Sequence, residues 1–162
     1  MNSLKQLKFC IVVFTIALYT HSAQAQITND ISHEEAFKAL LTAKKKAEAS
    51  KVPVNIAVVD AGANLKAFLR MDGSYLGSID VAIKKAKTAR YFDMDTGDLG
   101  KLTQPGGIIY NIELSNNGLI SFPGGVPIKN KEGKIIGAIG ISGGTIEQDH
   151  EIATIGALSV IE

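Results

Sequence analysis

The sequence predicts an α+β domain in which helices pack on a five-stranded antiparallel sheet. Three apolar runs within residues 118–144 are separated by a Pro-Gly-Gly corner and a hairpin turn, and apolar runs bounded by turn residues indicate strands. Two further runs joined by a tight turn lie earlier, and strands joined so tightly must be antiparallel. Two capping boxes mark helix starts. Helices packed on an antiparallel sheet define the α+β class.

The first half of the chain predicts a helix followed by a hairpin. Ser32 and Glu35 form a capping box, apolar residues then recur at helical spacing, and the helix is expected to end near Ser50. Residues 54–60 are rich in β-branched side chains and predict a strand buried on both faces. Residues 64–71 alternate between apolar and polar and predict its hairpin partner.

A second helix is predicted over residues 75–91, with an apolar stripe of Leu76, Ile79, Ile83 and Ala86. Its three clustered lysines are expected to form a solvated face, with contact to a ligand as the alternative. They are Lys84, Lys85 and Lys87.

The remainder of the chain predicts three more strands and a last helix. Thr96 is expected to cap a short helix over residues 98–102, whereas residues 108–114 fit either a short helix or an apolar loop. The strands are predicted at residues 119–122, 126–128 and 134–142. The second capping box opens at Thr145. The helix that follows is so apolar that the sheet or a neighbouring subunit should cover it.

Residues 1–25 have the pattern of a signal peptide, and residues 26–162 are predicted to form one domain. Lys5 and Lys8 precede an apolar run of about the length expected for such a peptide, and a small-x-small site ends at Ala25. The alternative is an uncleaved anchor, but the apolar run is shorter than the roughly 20 residues that a membrane span needs. The expected location is periplasmic or secreted, with no membrane span after cleavage.

Charge and cysteine content exclude several functions. Cleavage would remove two lysines and no acid, so the formal net charge of +1 would become −1, which leaves no basic excess for nucleic acid. The sole cysteine, Cys10, lies in the predicted signal peptide. The mature chain therefore has no disulfide, no thiolate chemistry and no covalent C-x-x-C-H haem attachment.

No strong catalytic motif is present, and catalytic residues stay unassigned. The sequence has no G-x-S-x-G elbow, P-loop, H-E-x-x-H pair or G-x-G-x-x-G after a strand.

Two histidines are candidate ligands in the predicted mature chain. His33 lies in the first turn of the first helix and is either an exposed helix residue or a metal or haem ligand. His150 follows Glu147 by three positions in the last helix, so the two could bind one metal from one helix face. An ordinary surface role is the alternative for His150 too.

Arg70 and two glycines are the candidates for contact with an anionic group. Arg70 is predicted to point away from the apolar face of its strand, where its guanidinium could clamp a carboxylate or propionate; the alternative is a structural ion pair with Asp72 or Asp60. Gly124 and Gly125 offer unmasked backbone N–H groups to an anion or a flat ligand. A tight corner would also explain these glycines.

Six segments, in this order and spacing, resemble the GlcG/HbpS family of haem-degrading or haem-binding proteins, which is related to the C-terminal domain of PduO-type proteins. They are Val58-Val59-Asp60-Ala61-Gly62, Phe68-Leu69-Arg70-Met71-Asp72-Gly73, Ser78 with residues 82–89, residues 122–128, residues 136–143, and Gln148-Asp149. Together they cover nearly all of the predicted mature chain.

The resemblance implies a profilin-like fold with a five-stranded antiparallel sheet, and homo-oligomers that are often octamers. Some members are exported and bind haem, and some take part in redox or iron sensing or in slow peroxide-dependent haem breakdown. A histidine of the N-terminal helix is implicated in haem or iron binding in relatives, and His33 occupies that region here.

Three hypotheses follow. The first is an exported haem- or iron-binding protein with His33 as axial ligand and with Arg70 or a lysine at the propionates. The second is an accessory protein or enzyme that binds a small carboxylate or hydroxy acid such as glycolate through Arg70 and the Gly124-Gly125 amides. The third is a structural or sensory protein whose oligomer surface binds a partner such as a sensor.

Overall fold

The computed structural model describes residues 29–162, and the predicted signal peptide lies outside them. Within the described residues an antiparallel sheet of four strands, in the order β2-β1-β4-β3, is flanked by four α-helices. The elements are α1 (His33–Ala49), β1 (Asn55–Asp60), β2 (Leu65–Arg70), α2 (Ser78–Phe92), α3 (Thr96–Thr103), a 3-10 helix (Ile112–Leu114), β3 (Gly125–Lys129), β4 (Ile135–Ser142) and α4 (Ile146–Leu158). The α+β class and the antiparallel pairing are confirmed.

The prediction of five strands is wrong, because residues 119–122 form no strand and pair with none. The Leu119 N–H donates to Glu113 O and the Ile120 N–H donates to Thr88 Oγ1. The next residue, Ser121, lies against α3, where a Cβ on Gly100 would stand 1.9 Å from the Ser121 carbonyl oxygen. The segment is therefore held by a loop, a side chain and a helix.

Side-chain oxygens fix the turns of both hairpins. In the β1–β2 turn, Asp60 Oδ1 accepts from the N–H groups of Gly62 and Asn64 at 2.9 and 2.8 Å. In the β3–β4 turn, Asn130 Oδ1 accepts from the Lys134 N–H at 2.9 Å. Asp and Asn favour such turns because their short side chains bond the backbone a few residues on.

Helices cover both faces of the sheet. On one face α1 and α4 pack over the larger core, which contains Leu40, Ile56, Ile139 and Ile152. On the other face α2 packs over a smaller core of mainly small residues, Ala57, Val59, Ala82, Ala86, Ala89 and Ala138. The sheet thus lies between two helical layers, and β1, one of its two central strands, is buried as predicted.

The two predicted capping boxes are present. Ser32 Oγ accepts from the Glu35 N–H while the Glu35 carboxylate accepts from the Ser32 N–H. Thr145 and Gln148 do the same at the start of α4. These reciprocal bonds satisfy N–H groups that a helix start leaves without partners.

The predicted stripe of α2 faces the sheet only in part, since Ala86 is buried in the smaller core and Ile83 packs against it. Leu76 precedes the helix and is exposed, whereas Ala82, Ala86 and Ala89 are buried. Lys85 is buried with them at 0% exposure, so its assignment to a solvated face is wrong. Small residues are needed here because α2 lies very close to β4, where a Cβ on Gly140 would stand 2.1 Å from the Ala82 carbonyl oxygen.

The irregular region and the last helix are now defined. The short helix α3 begins at Thr96 itself, with Asp95 as N-cap, and extends to Thr103. Within residues 108–114, turns lead into one 3-10 turn. The last helix α4 buries Ile152, Ala153 and Ala157 in the larger core. None of the helices in the described part of the chain is both long and apolar enough to cross a membrane.

Candidate functional site

A surface cavity of about 760 Å³ opens between α3, α4 and the loop that precedes β3. We call it the Asp95–His150 cavity, after the two side chains that meet in it. Its lining comprises Asp95, Gly97, Asp98, Lys101, Pro123, Ile146, Glu147, His150, Glu151, Thr154 and Ile155. Its size lies within the range of about 300–1,000 Å³ that is usual for small-molecule sites.

Asp95 and His150 bring opposite potential charges together without a hydrogen bond between them. His150 Nε2 lies 4.0 Å from Asp95 Oδ2, which exceeds hydrogen-bond distance. Although Asp95 is the N-cap residue of α3, its carboxylate makes no capping bond. Partial burial raises the pKa of Asp95, and the nearby His150 opposes that rise. His150 Nδ1 is buried and has no partner among the described residues.

Most other charges around the cavity are already paired. Lys101 Nζ lies 2.7 Å from Asp98 Oδ1, and Lys46 Nζ of α1 lies 2.7 Å from Glu151 Oε1. Glu147 is exposed, and hydrogen bonds from the backbone and Thr145 at the start of α4 lower its pKa. The cavity therefore presents the carboxylates of Asp95 and Glu147 as its unpaired acids.

A buried ion pair lies close to this cavity and was not foreseen from the sequence. Lys85 Nζ lies 2.8 Å from Asp149 Oδ2, donates to Ile141 O at 2.9 Å and stands 4.5 Å from the centroid of the Phe122 ring. The other Asp149 oxygen accepts from the Gly144 N–H. Burial lowers the pKa of Lys85, and Asp149 opposes that shift. The pair is buried from solvent and has a structural role, since it connects α2, β4 and α4.

The two glycines predicted to meet a ligand border this ion pair. Gly124 and Gly125 are both buried. A Cβ on Gly124 would stand 2.7 Å from Lys85 Nζ, and the Gly125 N–H already donates to Thr96 Oγ1 at 2.9 Å. Close packing thus accounts for both glycines, and their contact with a ligand stays a prediction.

Arg70 is exposed at the end of β2 and carries no carboxylate partner. Its guanidinium donates to Ser74 O at 3.4 Å, and none of the ion pairs among the described residues includes it. The alternative of a structural pair with Asp72 or Asp60 is therefore not observed. Arg70 ends the edge strand β2, whereas Gly124 precedes the opposite edge strand β3. Three strand spacings of about 4.8 Å place these two edges roughly 14 Å apart. One chain therefore does not bring Arg70 and the glycines together in one anion site.

His33 begins an exposed apolar stripe on α1. Its ring lies 4.5 Å from that of Phe37, centroid to centroid. Phe37 and Leu41 are 42% and 53% exposed, and side chains four residues apart share one helix face. An imidazole is thus displayed next to two large apolar side chains that the described chain leaves uncovered.

The candidate residues fall into three separate places. Lys46 of α1 forms its ion pair with Glu151, the residue next to His150. His33 precedes Lys46 by 13 residues on the same helix, and at a rise of about 1.5 Å per residue the two histidines are therefore roughly 20 Å apart. Just before His33, the Ile31 N–H donates to the Ile136 carbonyl oxygen at the start of β4. Arg70 pairs with Asn55 at the other end of the sheet. Five strand residues lie between these ends, which is roughly 16 Å.

No group of three or more His, Cys, Asp or Glu side chains that could hold a metal occurs in the part of the chain that the structure describes. The metal assignments of His33 and His150 therefore stay predictions. The structure places Asp95 next to His150, and the spacing of these residues in the sequence did not indicate this contact.

The family model described as "Haem degrading protein HbpS-like" matches residues 31–157. This span includes all four strands and all the described helices except Leu158, the last residue of α4. The chain belongs to the HbpS-like family. The resemblance inferred from six short segments is thereby confirmed.

Two relatives come from Citrobacter freundii. An uncharacterized 15.0 kDa protein in the dhaT-dhaS intergenic region is 38% identical over 130 residues, which are 75% of this chain and 91% of that protein. The corrinoid adenosyltransferase PduO is 35% identical over 148 residues, which are 90% of this chain and 44% of that enzyme. The chain thus spans less than half of PduO.

A solved structure of a PduOC:heme complex has the same fold. It superposes with a TM-score of 0.75 at 32% identity, and the match covers 80% of this chain and 94% of that one. A relative of nearly the same extent therefore forms a complex with haem.

Proposed function

We propose that this protein binds haem. The observation that carries the proposal is its membership of the HbpS-like family together with its similarity, over nearly the whole domain, to a protein solved in complex with haem. We further propose that it is exported by the predicted signal peptide, that it belongs with the profilin-like folds, and that haem binding serves sensing or slow haem breakdown outside the cytoplasm.

The stripe on α1 supplies the groups that a haem face needs. His33 is the proposed axial ligand, because a neutral imidazole is a common ligand for haem iron and this one is exposed. Phe37 and Leu41 would contact the porphyrin, and covering their exposed surface would supply much of the affinity. One helix face leaves the second face of the ring open, which a neighbouring subunit would cover.

The propionates need cations, and two candidates lie at different distances. Lys66 Nζ is 3.6 Å from Asp30 Oδ2, just before α1, so Lys66 can reach a propionate beside His33 of the same chain. Arg70 lies at the other end of β2. Its free guanidinium would serve either a propionate at the far edge of the ring or the haem of a neighbouring subunit.

Haemin titration of the purified mature protein tests the proposal. We expect a shifted Soret band at micromolar haemin, and His33→Ala should weaken binding at least tenfold and change the band position, because the axial bond is lost. His150→Ala is the matched control, since it removes a histidine roughly 20 Å away, and it should bind like the wild type. No Soret shift in the wild type would contradict haem binding, whereas a shift unchanged by His33→Ala would contradict only the ligand assignment.

A small carboxylate is the second candidate ligand, and the unpaired guanidinium of Arg70 is the observation that favours it. Thermal-shift measurements with glycolate and glyoxylate should then show stabilisation that Arg70→Gln removes. Stabilisation by haemin but by neither acid would eliminate this candidate.

A further inference from the structure

We propose that the Asp95–His150 cavity binds a small organic cation, a protonated amine on an apolar body, whose nitrogen donates to Asp95 and His150 together. Asp95 is the anchor. Its carboxylate faces the cavity, is partly buried and accepts no hydrogen bond from another described residue. A carboxylate in that position is incompletely compensated, and a charged donor is the group that compensates it best.

The spacing of the two acceptors fits an ammonium nitrogen. His150 Nε2 and Asp95 Oδ2 are 4.0 Å apart, so one nitrogen can lie about 2.9 Å from each. The angle between the two bonds is then near a right angle, which an ammonium group with three donors accommodates. Neutral imidazole accepts through Nε2 when Nδ1 carries the proton.

The same spacing disfavours a metal ion. A zinc or iron ion about 2.1 Å from each donor would leave adjacent tetrahedral or octahedral ligands roughly 3.0–3.4 Å apart. His150 Nε2 and Asp95 Oδ2, 4.0 Å apart, are too far from each other to be adjacent ligands of one such ion. The described residues also provide no third His, Cys, Asp or Glu close enough to complete a metal group.

The rest of the lining suits the body and the charge of such a ligand. Pro123, Ile146 and Ile155 supply apolar walls. Asp98 and Glu151 form ion pairs with lysines, whereas Asp95 and Glu147 form none with a lysine of the described chain. Burial raises the pKa of Asp95, and the charge of Lys129 opposes that rise only from beyond ion-pair distance. The cavity therefore attracts a cation and repels an anion such as a haem propionate. It is also remote from His33, so it is a second site, independent of haem.

Benzylamine is a suitable probe, with benzyl alcohol as its uncharged counterpart of similar shape. In NMR titrations that resolve individual backbone amides, we expect benzylamine to shift the resonances of Gly97 and Thr154. Benzyl alcohol should need at least a tenfold higher concentration to produce the same shifts. Asp95→Asn keeps the side-chain shape and should weaken benzylamine binding about tenfold or more, because it removes a charge-assisted hydrogen bond.

Two further variants make the result decisive. Glu132→Gln removes one negative charge from the exposed β3–β4 turn and should leave binding unchanged. Ile146→Arg places a cation at the cavity wall and should abolish binding even if Asp95→Asn does not fold. Absence of benzylamine shifts, equal binding of benzyl alcohol, or equal binding by Asp95→Asn would overturn the proposal. Zinc binding that Asp95→Asn abolishes, without amine binding, would overturn it in favour of a metal site.

Discussion

At the residue scale, the buried Lys85–Asp149 pair is the most consequential contact in the domain. Lys85 reaches from α2 past the buried glycine corner to β4 and α4, and its ammonium is held by a carboxylate, a carbonyl and an aromatic face. A buried charge pair adds little when compared with apolar residues, but removing one partner leaves the other charge unpaired in a dry site. The pair therefore makes three elements depend on one another.

Substitution of one partner should destabilise the protein far more than substitution of both. We expect Lys85→Met to lower the free energy of unfolding by about 3–5 kcal/mol, because Asp149 is left buried without its cation. The double variant Lys85→Met/Asp149→Leu should recover a large part of that loss, as urea denaturation will show. Lys87→Met, from the same lysine run, is the control and should change stability by about 0.5 kcal/mol or less. Equal losses for Lys85 and Lys87 would contradict this account.

Glu113 gives the fold an acid-sensitive contact. Its carboxylate accepts from Ser121 Oγ, and this bond together with Thr103 lowers the pKa of Glu113. A carboxyl whose pKa is lower in the folded protein stabilises it above the unfolded pKa and loses that contribution as the pH falls through the folded pKa. As the pH falls from 5 to strongly acidic values, the free energy of unfolding from urea curves should therefore decrease more for the wild type than for Glu113→Gln. Parallel pH profiles for the two proteins would refute the role of Glu113.

Residue burial was the least predictable feature from the sequence. Three lysines within four positions indicate a solvent-exposed helix face. Lys85, however, is three residues after Ala82 and four before Ala89, and it therefore lies on the same buried face as these two alanines. Asp149 gave no signal either, since acids near a helix start are common. The partners are 64 positions apart, so only the fold could reveal them. The same holds for Asp95 and His150.

At the element scale, the close approach of α2 to β4 sets the geometry of the smaller core. Gly140→Ala should cost about 1–3 kcal/mol or more, because its Cβ would meet the Ala82 carbonyl oxygen at 2.1 Å and the Ala86 nitrogen at 2.5 Å. Gly77→Ala is the matched control, since nothing lies within 4 Å of its Cβ position and its φ of −62° suits alanine. Thermal unfolding should separate the two variants clearly. Similar midpoints would show that α2 yields without strain.

Element boundaries followed local signals where those signals were strong. Both capping boxes and both hairpins were predictable, because the interactions that form them lie within a few residues of each other. The strand predicted at residues 119–122 was wrong, because an apolar run between turn residues has the same sequence pattern whether it pairs with a strand or packs on a helix. Here the long-range contacts with Thr88 and Gly100 decided the outcome.

At the scale of the whole molecule, the two proposed sites occupy separate regions and use different chemistry. The exposed stripe of His33, Phe37 and Leu41 on α1 suits a large flat ligand. The acidic cavity between α3 and α4 suits a small cation. Haem binding and amine binding should therefore be thermodynamically independent, so His33→Ala should not alter benzylamine affinity.

Three large apolar side chains exposed within residues 104–114 predict self-association. Ile108 and Leu114 are 86% and 83% exposed and Tyr110 is also exposed, and such patches mark interaction sites. We expect a homo-oligomer, as large as an octamer, by light scattering after size-exclusion chromatography. The double variant Ile108→Glu/Leu114→Glu should have a lower mass with an unchanged circular dichroism spectrum, because it puts charge into the contact. Lys131→Glu, in the exposed β3–β4 turn, should keep the wild-type mass. A monomeric wild type at all concentrations would contradict the prediction, and an oligomer unaffected by the double variant would place the contact elsewhere.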